Sequence, residues 1–313
     1  MNTDIELSRE VNGSVLPTAA TVPTFALALF ASATLLFWVQ PLIAKMFLPL
    51  LGGAPAVWNT CVVFFQVLLM SGYAYALLLS HRLSLRSQAI IHTLLLLAAA
   101  LVLPFALSNR VLVALQREHS PILWLLSTLL VTAGPPFLLL SATAPLLQRW
   151  FSQTTHRSAR DPYFLYAVSN AGSMLALLAF PFVLEPAFSA HTQSIIWAVS
   201  YAVFIVVFVL CAVLVNMRTA ITTPAEESVN KIVDLIEPAQ RLRWILLALV
   251  PSSLMLGVTT YIAIDVASVP MIWIVPLALY LLSFILAFGK KQNCQAIDCL
   301  ILIAGGARLS QRF

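Results

Sequence analysis

The sequence predicts an all-α protein, a polytopic bundle of about eight transmembrane helices. Hydrophobic residues make up 61% of the 313 residues and charged residues only 9%, whereas about 25% of the residues in soluble domains are charged. The apolar residues also come in runs of about 20, the length that an α-helix needs to cross a bilayer. A soluble protein of this size could not bury so much apolar surface. We therefore predict a multi-pass membrane protein whose main partner is the lipid bilayer.

Eight runs have the required length. In chain order they are residues 24–48, 57–79, 89–107, 121–147, 163–184, 193–215, 244–263 and 269–288. The segments between them divide the chain into five parts. These parts are a polar N-terminal tail at 1–23, a six-span bundle at 24–215, a cytoplasmic linker at 216–243, two further spans at 244–288 and a C-terminal tail at 289–313.

The distribution of Lys and Arg predicts that both termini are cytoplasmic. Cytoplasmic loops carry the excess of Lys and Arg in membrane proteins. With the N-terminus inside, the cytoplasmic segments hold fourteen of these residues, and the outer loops hold only Arg110 and Arg117. The remaining cation, Lys45, lies within the first span. An even number of spans then returns the C-terminus to the same side.

Several classes of function are not expected. The net charge of +5 belongs to scattered loop cations rather than to a basic patch with stacking aromatics, so we predict no nucleic-acid binding. The four cysteines form neither a CxxC pair nor a Cys/His cluster, and we predict no metal site. No nucleotide-binding loop, HExxH helix or GxSxG elbow occurs. We therefore assign no catalytic residue and no cofactor.

Three charged residues are predicted to lie at similar depth near the outer face. Lys45 is one turn inside the end of the first span, Glu185 ends the fifth, and Asp265 follows the seventh. They could form a shared polar site, with Lys45 paired to one carboxylate and the other free for a cationic ligand. Alternatively, Lys45 extends to the interface and both acids are ordinary helix-end residues.

Prolines mark candidate helix breaks. Pro41 and Pro49 fall in or beside the first span, and Gly134, Pro135 and Pro136 lie in the middle of the fourth. Proline removes a backbone donor and kinks a helix, and transporters use broken helices to expose backbone groups to substrate. A plain kink is the alternative, since proline is common in membrane helices.

Polar and small residues within the spans indicate helix packing. Ala167, Ala171, Gly172 and Ala176 give the fifth span the spacing that permits close helix contact. Gln40, Lys45, Asn59 and Gln66 fall on two sequential helices and could meet in the bundle interior. His92, near the start of the third span, is expected to be a satisfied interfacial histidine.

Five segments stand out together in this order along the chain. They are PLIAKMFLPLLGGAPAVWNTCVVFFQ (41–66) with LLMSGYAYALLLSHRL (68–83), SATAPLLQRWF (141–151), DPYFLYAVSNAGSMLALLAFPFVLEP (161–186) and RWILLALVPSSLMLGVTTYIAIDVASVP (243–270). Through them the chain resembles, over roughly residues 25–288, the membrane region of the spermidine synthase-like membrane proteins, also called fused major-facilitator/spermidine synthase proteins.

The resemblance implies a multi-span bacterial inner-membrane domain, followed by further spans and a cytosolic Rossmann-like domain that resembles the polyamine aminopropyltransferases. The Gly-rich loop and acidic residues of that domain have no counterpart in these residues. The stretch after residue 288 no longer resembles the family, which suggests a truncated or frame-shifted end. We expect either a non-catalytic module that anchors a synthase-like domain, a carrier of polyamines or other organic cations, or an inert fragment. A carrier should have an aqueous cavity lined by Lys45, Glu185 and the Pro135 break, and an anchor should be packed solid.

Overall fold

Helices make up the architecture. The computed structural model describes residues 16–47, 50–51, 55–105, 120–154, 162, 164–219, 238–261 and 274–288, and these ranges contain no strand. Nine helices occur in them: α1 Leu16–Phe47, α2 Pro55–Arg82, α3 Leu85–Ala99, α4 Pro121–Thr132, α5 Gly134–Ser152, α6 Phe164–Ala179, α7 Ala190–Thr219, α8 Pro238–Tyr261 and α9 Ile274–Phe288. The predicted all-α class is confirmed for this part of the chain.

Five helices of the described ranges are long and apolar enough to cross a membrane. Their apolar portions are Thr21–Phe47, Thr60–Arg82, Leu85–Val102, Phe164–Ala187 and Ala190–Val215. A sixth span is formed if the bent pair of α4 and α5 crosses together. The predicted count of about eight is not confirmed. The 15 residues of α9 extend only about 22 Å, less than the hydrocarbon thickness of about 30 Å, and α8 is not among the counted helices.

Helix ends differ from the predicted domain boundaries. α1 begins at Leu16, inside the predicted polar tail. α7 continues to Thr219 and α8 begins at Pro238, so the predicted linker at 216–243 is helical at both edges. An apolar run fixes which residues lie in lipid, but the helix itself can continue into polar residues beyond the bilayer. Residues 289–313 lie outside the described ranges.

Two pairs of neighbouring helices run parallel. α1 and α6 meet at Thr34 with Gly172 and again at Lys45 with Glu185, so both helices run toward the same end of the bundle. α2 and α5 also pack as a parallel pair, and both run opposite to α1 and α6. We call the end where α1 finishes the Lys45 end. The opposite end, which carries Arg82, Arg86 and Arg149, is the arginine end.

One contiguous cluster of buried apolar side chains joins α1 through α7. Its largest fully buried members are Trp150, Trp197, Tyr201, Phe25, Phe47, Phe137, Phe151, Phe180, Phe204 and Phe208. A separate small cluster attaches α9 to α6 through Leu177, Ile274 and Leu281. α8 is exposed over most of its length. The core therefore sits within the first seven helices.

The two parallel pairs share one kind of close contact. A Cβ atom at Gly172 of α6 would lie 2.5 Å from the Phe30 carbonyl oxygen of α1 and 3.0 Å from Thr34 Oγ1. A Cβ atom at Gly72 of α2 would lie 2.7 Å from the Leu138 carbonyl oxygen of α5 and would overlap the Ser141 hydroxyl. In each pair, a glycine faces a carbonyl and a hydroxyl of its neighbour. The small-residue pattern predicted the contact at Gly172 but not the contact at Gly72.

The predicted break at Gly134, Pro135 and Pro136 is confirmed. α4 and α5 meet at a bend of 60°. The residues three and four positions after Thr132 are Pro135 and Pro136, and neither has a backbone N–H. The Thr132 carbonyl therefore lacks the donor that a continuous helix would supply.

The predicted break at Pro41 is wrong. α1 continues without interruption through Pro23 and Pro41, and Pro41 is buried. One missing donor does not end a helix in lipid, because unwinding would leave several more backbone groups unsatisfied. Pro49 lies outside the described residues.

Candidate functional site

Lys45 and Glu185 form an ion pair at the Lys45 end. Lys45 Nζ lies 3.9 Å from Glu185 Oε1 and donates a hydrogen bond of 3.4 Å to the Glu185 carbonyl oxygen. The side chains are 29% and 39% exposed, respectively. The carboxylate accepts no hydrogen bond within the part of the chain that the structure describes. It therefore keeps open acceptor positions beside a cation.

Helix ends position this pair. Lys45 is in the last turn of α1. α6 passes into a π-turn at Phe180–Leu184 and finishes with the turn Glu185–Ala187. Cations are favoured near helix C-termini, where unpaired carbonyls leave partial negative charge. The Lys45 ammonium meets two such termini, which explains why a lysine is tolerated so close to the apolar core.

Gln193 fixes the end of α6 against α7. Its side chain is completely buried, and Nε2 donates to the carbonyl oxygens of Leu184, at 2.9 Å, and Phe188, at 3.0 Å. Gln193 Oε1 has no hydrogen-bond partner among the described residues. Sequence reasoning missed this residue, although an amide within an apolar run is the signal that could have identified it.

The other members of the predicted site are not joined to this pair. Asp265 lies outside the described residues. Phe47 and Trp124 have ring centroids 5.9 Å apart, which places the first turn of α4 beside the Lys45 end. The bend at Ala133 is then about 14 Å deeper at 1.5 Å per residue. The ion pair and the break are two separate features.

The predicted meeting of polar residues in the interior is wrong for Gln66. The buried face of α2 is occupied by Phe64, Phe65 and Leu68. Gln66 is exposed on the side of α2 that points away from the bundle. Gln40 is half-buried and its Nε2 donates to the Leu36 carbonyl oxygen of its own helix, at 3.2 Å. The Asn59 side chain lies outside what the structure describes.

His92 lies in the interior rather than at the interface. It is completely buried, with Nδ1 3.4 Å from the Tyr75 hydroxyl and Nε2 3.3 Å from Thr143 Oγ1. The Thr143 hydroxyl donates its proton to the Leu139 carbonyl oxygen, at 2.9 Å. Thr143 can therefore only accept from His92, so the ring is protonated on Nε2 and accepts from Tyr75 on Nδ1. The expectation of a satisfied histidine holds, but its depth was wrong.

Buried hydrogen bonds link α3 to its neighbours on both sides. Trp150 Nε1 of α5 donates to Gln88 Oε1, at 2.9 Å, and the Tyr201 hydroxyl of α7 donates to the Leu96 carbonyl oxygen, at 3.3 Å. Gln88, His92 and Leu96 are four residues apart, so they share one face of α3. That spacing is the sequence signal for this polar face.

The described residues thus combine an aromatic interior, a buried polar face and a partly exposed ion pair at one end. This arrangement can hold seven helices in fixed positions and offers one carboxylate to a cation. Comparison of the chain with protein-family models, with curated proteins and with solved structures gives no match.

Proposed function

We propose that this chain is a non-catalytic, integral inner-membrane module of a spermidine synthase-like membrane protein. Its role is to hold a cytosolic synthase-like domain at the bilayer. The family and the type of domain come from the resemblance of residues 25–288. The observation that favours an anchor over a carrier is a row of buried aromatic rings between the described parts of α3, α5 and α7.

A ladder of aromatic rings spans the bundle from one end to the other. Phe105 contacts Trp197 with a centroid distance of 4.8 Å, and Trp197 stacks on Tyr201 at 5.3 Å. Phe204 and Phe208 continue the ladder at 6.2 Å steps, and Phe208 reaches Trp150 at 5.5 Å. Where these rings pack they exclude a hydrated solute, and such a core suits a rigid anchor.

The arginine end is the proposed docking side for the synthase-like domain. Arg82 and Arg86 are exposed on either side of the turn between α2 and α3, and Arg149 is half-buried near the end of α5. An excess of arginine marks the cytoplasmic side of a membrane protein. A cytosolic domain would therefore meet this end.

Recruitment of a separately produced spermidine synthase-like domain tests the anchor. Membranes that contain the full chain should bind several-fold more of the domain in sedimentation assays than membranes that contain an unrelated multi-span protein. Equal binding to both preparations would contradict the anchoring role.

A carrier of polyamines or other organic cations is a second candidate. Many transporters are built from inverted repeats with broken helices. The 60° bend between α4 and α5 is such a break. The close glycine contact that recurs in two helix pairs of opposite direction is the kind of similarity that an inverted repeat would produce. The open carboxylate of Glu185 is the group that would meet an ammonium.

Uptake of radiolabelled putrescine separates the two functions. Because aromatic rings pack between α3, α5 and α7, we expect no uptake by proteoliposomes above that of empty vesicles. Uptake that is lost in Glu185→Gln and kept in Glu185→Asp would instead favour the carrier. The aspartate variant is the matched control, since it retains the charge that the glutamine removes.

A further inference from the structure

α2 presents an exposed stripe of side chains with heptad spacing. Val63, Met70 and Leu77 are 61%, 75% and 58% exposed, and they follow one another every seven residues. Between them lie four more exposed residues, Gln66, Val67, Tyr73 and Ala74. We call these seven residues the α2 stripe. Apolar side chains at this repeat form the contact line of two packed helices.

Gln66 makes the α2 stripe unlike an ordinary lipid-facing surface. It lies six residues inside the start of the apolar portion Thr60–Arg82, about 9 Å at 1.5 Å per residue, and the hydrocarbon of lipid offers no hydrogen-bond partner there. Its amide is exposed and makes no hydrogen bond with any residue that the structure describes. By contrast, the exposed stripe of α7 is wholly apolar; its members are Val199, Val203, Val206, Leu210 and Val213.

Gln66 cannot turn inward to find a partner. Gly72 lies on the buried side of the same helix, against the Leu138 carbonyl oxygen and the Ser141 hydroxyl of α5. Phe65 contacts Phe137 of α5 with a centroid distance of 4.8 Å. These contacts fix the rotation of α2, so a partner for the amide must come from outside the described part of the chain.

We propose that the α2 stripe is the interface of a homodimer, in which Gln66 pairs with Gln66 of a second copy. A two-fold axis along the membrane normal places the two α2 helices side by side and in the same direction. It also brings both amides to the same depth, where each can donate one N–H and accept one in return. Ala74 permits close approach of the helices, and Met70 adapts to the space between them.

A second copy fits this surface better than lipid does. Lipid would satisfy Val63, Val67, Met70 and Leu77 but would leave the Gln66 amide without a partner. A symmetry-related copy satisfies both, because the same stripe supplies the apolar seam and the complementary amide. The interface does not depend on whether the chain anchors a domain or carries a solute.

Disulfide cross-linking of the full chain in native membranes tests the interface. Cys61 and Cys211 are buried, and replacing Cys294 and Cys299 with serine removes the other two thiols. In this background, Met70→Cys should form a covalent dimer on oxidation. Val203→Cys is the matched control, since Val203 is 59% exposed on the α7 stripe, and it should remain monomeric.

Adding Gln66→Leu to the Met70→Cys variant should lower the cross-linked fraction at limiting oxidant. A hydrogen bond between membrane helices contributes about 1 kcal/mol, which corresponds to a decrease of about fivefold in association. Leucine keeps the surface apolar, so the helix should still insert. Equal cross-linking at Met70 and Val203, or single-step photobleaching of the unmodified chain in nanodiscs, would overturn the proposal.

Discussion

Replacing Gly172 by alanine is expected to lower the free energy of unfolding by about 1–3 kcal/mol, the usual effect of overpacking a core. The added methyl group would lie 2.5 Å from the Phe30 carbonyl oxygen. This oxygen belongs to the backbone of α1 and cannot rotate away, so α1 and α6 must separate. Titration with denaturing detergent, followed by tryptophan fluorescence, measures the change.

Gly257→Ala is the matched control for this substitution. A Cβ atom at Gly257 of α8 would meet nothing within 4 Å, so this variant has the same gain in helix propensity without the collision. Gly72→Ala should resemble Gly172→Ala, because its new methyl group would lie 2.7 Å from the Leu138 carbonyl oxygen. If all three variants unfold alike, the close approach of the helices is not real.

Replacing Trp150 by alanine should have the largest effect of any single substitution, about 3–5 kcal/mol for the cavity. Trp150 is only 1% exposed and packs against Phe208 of α7. Its loss also removes the partner of Gln88 Oε1. An unsatisfied buried acceptor lowers the stability further, by about 1–3 kcal/mol. We expect little folded protein to be recovered at 37 °C.

Trp150→Phe separates the two contributions. Phenylalanine fills most of the space but cannot donate to Gln88, so the remaining loss reports mainly the hydrogen bond. Adding Gln88→Met removes the orphaned acceptor but also the hydrogen bond that Gln88 Nε2 donates to the Leu83 carbonyl oxygen, at 2.8 Å. The Gln88→Met single variant measures that second loss, and the double variant should be more stable than the sum of the two single losses predicts. Additive losses would show that the bond between α3 and α5 contributes little.

The Lys45–Glu185 pair shows which part of the candidate site the sequence predicts and which part it does not. Counting spans placed both residues at one end of the bundle, because each closes a helix that runs in the same direction. The count could not predict that α1 and α6 are neighbours. Seven helices can be arranged in many orders with the same depths, and the choice depends on contacts such as the one at Gly172.

Gln66 and His92 show the opposite failure. Both are polar residues in apolar runs, and sequence reasoning placed Gln66 in the bundle interior and His92 at the membrane interface. The rotation of each helix decides which of the two faces the interior. α2 turns Phe64 and Phe65 inward and so carries Gln66 outward, and α3 turns Gln88, His92 and Leu96 inward together.

The sequence by itself determined the all-α class, the membrane setting, most of the helices and the break at Gly134–Pro136. These features depend on local properties, namely the length of an apolar run and the missing N–H of proline. Only the tertiary structure decided which helices touch, which face of each is buried, and that Pro41 leaves α1 intact. The interior has room for only some of the side chains on each helix. Which of them are buried depends on how their shapes fit side chains of other helices, as well as on their polarity.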